Sequence, residues 1–177
     1  MPEQTKPVIN LADVALRDNG HGDKFEAKVG SFGRQIGSTG IGAMLHVVEP
    51  GKRAFPFHNH HSIHELFVIL EGEGEYRFGD KTYPVKAGDV CAAPTGGPET
   101  AHQIINTGTT PLRYYGISTM SLADVCEYPD SGKFGVFSRH TRNPYDKSTI
   151  RHLQYLDAKG VEYWEREPGA EESKTND

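Results

Sequence analysis

The stretch Gly51-Lys-Arg-Ala-Phe-Pro-Phe-His58-Asn-His60-His61-Ser-Ile-His64-Glu65-Leu-Phe-Val-Ile-Leu70-Glu-Gly72 decides how the rest of the chain is read. His58 and His60 stand two apart, so on an extended strand both imidazoles leave the same face. His61 points to the opposite face and is read as lying outside. Glu65 follows a short turn onto the next strand, where its carboxylate swings back toward the same point. His64 would replace Glu65 only after a one-residue register change, and the spacing to Gly72 makes Glu65 the better carboxylate. A second cluster, Gly88 to Pro94 and then His102 to Asn106, supplies a third imidazole. His58, His60, Glu65 and His102 together offer three nitrogens and one carboxylate oxygen, a donor set for a transition metal.

Four ligands drawn from three strands meet only inside a barrel or sandwich, and the surrounding sequence independently points to one. Its 20 glycines and 11 prolines cut the chain into short pieces. Between about residues 24 and 120, runs of Val, Ile, Phe and Tyr alternate with turn clusters, the pattern of an all-β domain. Strands are expected near Glu26–Val29, Ala43–Glu49, Phe55–Asn59, Glu65–Glu71, Glu75–Phe78, Lys81–Pro84, Asp89–Ala92, His102–Asn106 and Arg113–Ser118. The turns are explicit: Glu49-Pro50-Gly51, Glu71-Gly72-Glu73-Gly74, Gly79-Asp80-Lys81 and Lys86-Ala87-Gly88-Asp89. Strands this short and this regularly spaced predict a closed or double-sheet antiparallel barrel. Residues 1–23 are read as an N-terminal arm, 24–120 as the barrel, 121–166 as an extension packing on the barrel or a partner, and 167–177 as a disordered tail.

Within the extension, Glu127–Gly132 reads as a turn and Arg139–Lys147 as a polar connection. Arg151–Gly160 is expected to form a short helix packing on Leu153 and Leu156, and Val161–Glu165 a last strand or aromatic anchor. In Glu65–Leu70 both strand faces are apolar: Phe67 and Ile69 share a face with Glu65, and Leu66, Val68 and Leu70 share the other. A half-exposed antiparallel strand alternates with polar residues, so a terminal arm or a second subunit is expected on the outer face, and the expectation is a homodimer.

Composition narrows the partners. With 19 basic and 24 acidic residues the formal charge is -5 and no basic stripe exists, which argues against nucleic acid. No apolar run approaches the roughly 20 residues of a membrane span. The N-terminal Met-Pro-Glu-Gln-Thr-Lys-Pro lacks the charged-then-apolar build of a secretion signal. Cys91 and Cys126 are too few for a disulfide scaffold and are taken as reduced. The expectation is a cytoplasmic protein acting on a small molecule.

On these residues the chain resembles the cupin family of double-stranded β-helix, or jelly-roll, barrels. The first family motif runs glycine, spacer, His-x-His, three or four residues, Glu, six residues, glycine. Here it reads Gly51, six residues, His58-Asn-His60, four residues, Glu65, six residues, Gly72. The second motif reads Gly88, five residues, Pro94-Thr-Gly96, then Gly97-Pro-Glu-Thr-Ala before His102, and three residues to Asn106. Three residues more than usual separate Gly96 from its histidine; the expectation is that they widen one rim of the pocket and leave the ligand in place. Glu99, at the unextended position, loses the His-x3-Asn spacing and is rejected. The resemblance covers about Gly42 to Ser118 and is specific for the fold and for a metal rather than for a reaction. The lengthened loop Ala93–His102 and the turn Tyr128-Pro-Asp130 are similar to one branch of short bacterial cupins, some of whose members are labelled sugar-isomerase-like.

Four protein ligands leave one or two coordination positions open, the mark of a catalytic site. Without a thiolate in the set, Fe, Mn, Ni, Co or Zn all fit as one divalent ion. One reading is an isomerase or epimerase on a sugar or sugar phosphate, with the ion as Lewis acid and Arg34, Lys52, Arg53, Arg77 or Arg113 holding an anionic group. No general base is identifiable. A second is a dioxygenase on an enol, phenol or β-dicarbonyl, with apolar walls from Phe67, Ile69 and Ile104. A third is a non-catalytic binding module.

Overall fold

The computed structural model describes residues 6–139, 150–156 and 159–168. Its strands are β1 (Arg17–His21), β2 (Phe25–Ser31), β3 (Ile41–Val48), β4 (Asn59–His60), β5 (Glu65–Glu71), β6 (Glu73–Phe78), β7 (Lys81–Lys86), β8 (Val90–Ala93), β9 (His102–Ile105), β10 (Leu112–Thr119), β11 (Ala123–Tyr128), β12 (Lys133–Arg139) and β13 (Ile150–Leu156). They form three sheets ordered β1-β2-β3-β10-β5-β8, β13-β12-β11-β4 and β7-β6-β9. Every pairing between them is antiparallel. The fold is all-β, as the turn spacing implies.

Alternation along the strands builds the interior. On β5, Phe67 and Ile69 are buried, while Leu66 on the other face is 38% exposed and Val68 and Leu70 are half-buried. Val29, Leu45, Val48, Ile69 and Leu112 are each no more than 2% exposed and anchor the core. Gly72 turns the chain between β5 and β6 at φ +81°, and a Cβ there would lie 2.6 Å from the Pro111 carbonyl oxygen. Both facts require glycine at the end of the first motif.

Three expectations need correction. Phe55–Asn59 is not a continuous strand; Pro56 has no N–H to give a ladder, and the regular pairing narrows to Asn59–His60 with single bridges at Arg53 and His58. Arg151–Gly160 is not a helix: Ile150–Leu156 pairs with β12 in register Leu153↔Val136 and Tyr155↔Phe134. The spacing of Leu153 and Leu156 suits a helix locally, but the free edge of β12 and the Phe134–Tyr155 ring stack at 5.2 Å override it. Val161–Glu165 is no strand; residues 163–166 turn, and Tyr163 and Trp164 are exposed and pack edge-to-face on each other.

The proposed arm and extension both join sheets. Arg17–His21 pairs with β2. The expected turn at Glu127–Gly132 begins only after Tyr128, because β11 runs through Glu127 and Tyr128 and pairs with both β12 and β4. Most of the polar connection after Arg139, and the tail from residue 169, lie outside the described residues.

Asn106 ties the ends of the two motifs together. Its side-chain amide donates to the carbonyls of Val48 at 2.8 Å and Thr110 at 2.9 Å, and its oxygen accepts from Gly108 N–H at 3.0 Å. Its backbone accepts from Gly51 N–H and donates to the Lys52 carbonyl. The residue is fully buried. Replacing it with alanine strands several buried polar groups, so Asn106→Ala is expected to cost about 2–4 kcal/mol. Urea denaturation should show a lower midpoint at unchanged slope, with the metal-binding stoichiometry of the folded protein retained.

Candidate metal centre

Backbone pairing brings the two motifs face to face. His58 N–H donates to the His102 carbonyl at 3.2 Å and His102 N–H to the His58 carbonyl at 2.7 Å, a reciprocal bridge that sets the two imidazoles side by side. Their ring centroids are 4.6 Å apart, and those of His58 and His60 are 5.0 Å apart. Glu65 enters from β5. Its Oε2 lies 2.9 Å from His102 Nε2, 3.6 Å from His60 Nε2 and 3.8 Å from His58 Nε2. Glu65 Oε2 therefore lies within 3.8 Å of all three imidazoles, and the ligating atoms of His58, Glu65 and His102 lie within 4.8 Å of one another. His61 faces away, half-exposed, 3.2 Å from Glu127. His64 is exposed and its backbone pairs with Thr119.

The other ring nitrogens explain which atoms point inward. His58 Nδ1 lies 2.8 Å from the Pro56 carbonyl, which only accepts, so Nδ1 carries the proton. His60 Nδ1 lies 2.5 Å from the Asp124 carboxylate, and His102 Nδ1 is 3.3 Å from the Thr100 carbonyl. At His58 and His60 the outer contact holds a proton on Nδ1 and turns Nε2 inward, while His102 Nε2 lies 2.9 Å from Glu65 Oε2, at hydrogen-bond distance. Ring nitrogens and a carboxylate gathered this closely share a cation, either a proton, as between His102 and Glu65, or a metal ion. Metal–ligand bonds of about 2.1 Å at right angles would space adjacent donors by about 3 Å, comparable to the separations here. The donor set fits a divalent transition ion.

The electrostatics agree. Burial strongly lowers the His58 pKa, to about 4, helped by the neighbouring imidazoles, so His58 is neutral at pH 7. Burial also works to lower that of His60, but the hydrogen bond it donates to Asp124 and the charges of Glu65 and Asp124 outweigh it and raise it. Burial alone would raise the Glu65 pKa; the His102 hydrogen bond and the three imidazoles instead hold it at about 2, an ionised ligand. Asp124 is likewise held below the ordinary carboxylate range: against the cost of burial stand the hydrogen bonds from His60 and Ser62.

The sequence reading missed β11 as a contributor. Antiparallel register sets Cys126 opposite His60, so alternate residues Asp124, Cys126 and Tyr128 face the histidine pair. Asp124 orients His60, the Cys126 sulfur joins the ring nitrogens of His58 and His60 within a mutual 4.8 Å, and the Tyr128 ring stacks on His58 at 6.1 Å. The donor set is thus not free of sulfur. An Asp-x-Cys-x-Tyr alternation was the available signal, obscured because Tyr128-Pro129-Asp130 reads as a turn.

A cavity of about 370 Å³ opens over this centre. His58, His60 and Glu65 form its polar end, Met44, Phe55, Phe67 and Met120 its apolar walls, and Arg34 and Arg139 add guanidinium groups. Of the five cations named from sequence, Arg34 alone lines it; Lys52 pairs with Glu26, Arg77 with Asp130 and Arg113 with Glu71, while Arg53 lies over Phe25. Arg139, on β12, was not foreseen, and its buried Nε has no hydrogen-bond partner among the described residues. His46 also lines the cavity, buried, stacked on Tyr114 at 4.5 Å and held neutral by burial with a pKa of about 4. Gly116 makes room for it: a Cβ there would lie 2.8 Å from the His46 ring. Of the expected apolar walls, Phe67 lines the cavity while Ile69 and Ile104 belong to the core. The three extra residues before His102 do not widen the rim. They fold as a 3₁₀ turn at Pro98–Thr100, and no residue of that turn lines the cavity.

Residues 44–118 match the family model for the cupin domain. That segment is similar to a cupin domain. The chain is 40% identical over 60 residues to an oxalate-binding protein of Thermotoga maritima, a match covering 34% of this chain and 47%, about half, of that relative. The structure superposes with a TM-score of 0.71 on a protein of Acidithiobacillus ferrooxidans whose name proposes a sugar phosphate isomerase, at 23% identity over 90% of this chain and 99% of that chain. A predicted oxalate decarboxylase of T. maritima superposes with a TM-score of 0.55 at 26% identity, covering 64% of this chain and 99% of that chain.

Asp124 gives this centre a direct test. Carboxylate partners of ligating histidines typically contribute 10–100-fold in metal affinity. Asp124→Asn is expected to weaken binding of a divalent ion by about that factor, measured by competitive chelator titration, with the fold unchanged by circular dichroism.

Proposed function

We propose that this protein is a mononuclear metal enzyme of the isomerase or epimerase type, acting on a small anionic sugar derivative such as a sugar phosphate. The observation that carries the reading is one cavity holding both the imidazole–carboxylate cluster and two arginines. His58, His60, Glu65 and His102 would hold the ion, which when bound supplies Lewis acidity to a substrate oxygen. Arg34 and Arg139 bind the anionic end, the unpartnered Nε of Arg139 being a donor ready for it. Met44, Phe55, Phe67 and Met120 exclude water from the reacting end. His46, neutral on the cavity wall, is the imidazole placed to accept and return a proton between adjacent carbons.

The T. maritima relative favours a second reading, a module that binds a small dicarboxylate such as oxalate without turning it over. A dicarboxylate satisfies the same arginines and chelates through two oxygens. The two are separated by elemental analysis of protein purified without chelator, followed by thermal-shift screening and turnover assays. Stabilisation by sugar phosphates with interconversion of isomers supports the first; stabilisation by oxalate alone supports the second. Oxygen uptake with a β-dicarbonyl or catechol would replace both with a dioxygenase.

Arg139→Ala tests the anion site. Losing charge-assisted hydrogen bonds of about 1.5–3 kcal/mol should raise the sugar-phosphate Kd roughly 10- to 100-fold. Calorimetry would measure this, and metal content should be unchanged. An unaltered Kd would remove Arg139 from the site.

A further inference from the structure

We infer that the centre offers two overlapping donor sets, and that Cys126 joins His58 and His60 as a thiolate ligand when a thiophilic ion such as Co(II), Zn(II) or Cd(II) is bound. The inference rests on the metal-site reading above and adds a donor to it. Two clusters of ligating atoms, each gathered within 4.8 Å, share His58: one with Glu65 and His102, the other with His60 and Cys126. Glu65 Oε2 at 3.6 Å from His60 Nε2 joins them into one basin. The hard oxygen lies on the β5 side and the sulfur on the β11 side.

The placement of Cys126 follows from the register. Directly opposed residues of an antiparallel pair project to the same face with their Cβ atoms about 4.5–5.5 Å apart, and Cys126 is opposed to His60. Its neighbours on that face already serve the same imidazoles, Asp124 through His60 Nδ1 and Tyr128 by stacking on His58. Burial pushes the Cys126 thiol up to about 12 against the opposing influence of Tyr128, so the sulfur becomes a ligand only as an ion displaces its proton. Cys91, by contrast, is buried in the core cluster. Binding is a ligand exchange without redox change: the S–H proton leaves to solvent as the sulfur–metal bond forms. Borderline and soft ions favour the sulfur, whereas Mn(II) favours Glu65 and the imidazoles.

Cobalt substitution of the full-length protein distinguishes the two levels of the argument. The wild type loaded with one equivalent of Co(II) should show a near-ultraviolet sulfur-to-cobalt charge-transfer band besides its visible d–d bands. Cys126→Ser should lose the former and keep the latter, while Cys91→Ser keeps both. Cobalt bound with d–d bands but no charge-transfer band in the wild type would overturn the role of Cys126 and leave the imidazole–carboxylate site standing. Failure to retain cobalt at all would overturn both. The wild-type spectrum decides even if the serine variant does not fold.

Discussion

The gathering of three imidazoles around one ionised carboxylate is the constraint on which the rest of this structure depends. Glu65 sits within 2.9 to 3.8 Å of three Nε2 atoms. Backbone and carboxylate acceptors on the outer side turn Nε2 of His58 and His60 toward Glu65. These outer contacts aim the donors into one basin, an arrangement that a bound cation completes. The jelly roll supplies the rigidity: the reciprocal His58–His102 bridge and the Asn106 network join the two motifs through main-chain contacts that a side-chain rearrangement cannot relax.

The part of the fold legible in the sequence is the part governed by local rules. Turn glycines and period-two apolar runs located the strands that flank the site, and the His-x-His spacing fixed a common face because strand geometry admits no other outcome. The elements misread were those whose state is chosen by a distant partner. Leu153 and Leu156 sit at helical spacing, yet an available edge on β12 made the segment a strand. The Pro56 region carries His58 without a continuous ladder, held by isolated bridges that no local pattern announces. Asp124 and Cys126 reach the histidine pair, and His46 and Arg139 the cavity, only through sheet register and long-range closure. Their residue types give no warning, since an aspartate or arginine on a strand is ordinarily solvated surface.

The residues that were missed are also the ones that distinguish this site within its fold. The shared motifs provide an ion site and leave the reaction open. Strand β11 closes over the histidine pair and lays a carboxylate, a thiol and a phenol against it at alternate positions. Each bears on the centre differently: Asp124 raises the basicity of His60, Cys126 adds a soft donor beside the histidine pair, and Tyr128 stacks on the His58 ring.

Charge balance links that strand to the ligand the cavity accepts. A divalent ion on Glu65 leaves one positive charge at the polar end, and Asp124 behind His60 offsets it. Arg34 and Arg139 then add two positive charges at a cavity otherwise walled by methionine and phenylalanine side chains. A phosphate ester or a dicarboxylate complements that charge while presenting oxygens to the ion, which a neutral sugar does not. If the Cys126 thiolate enters the shell, the metal end becomes net negative and its pull on the substrate oxygen weakens. The choice between oxygen and sulfur donors therefore sets Lewis acidity through the identity of the ion, without moving the residues that recognise the anion.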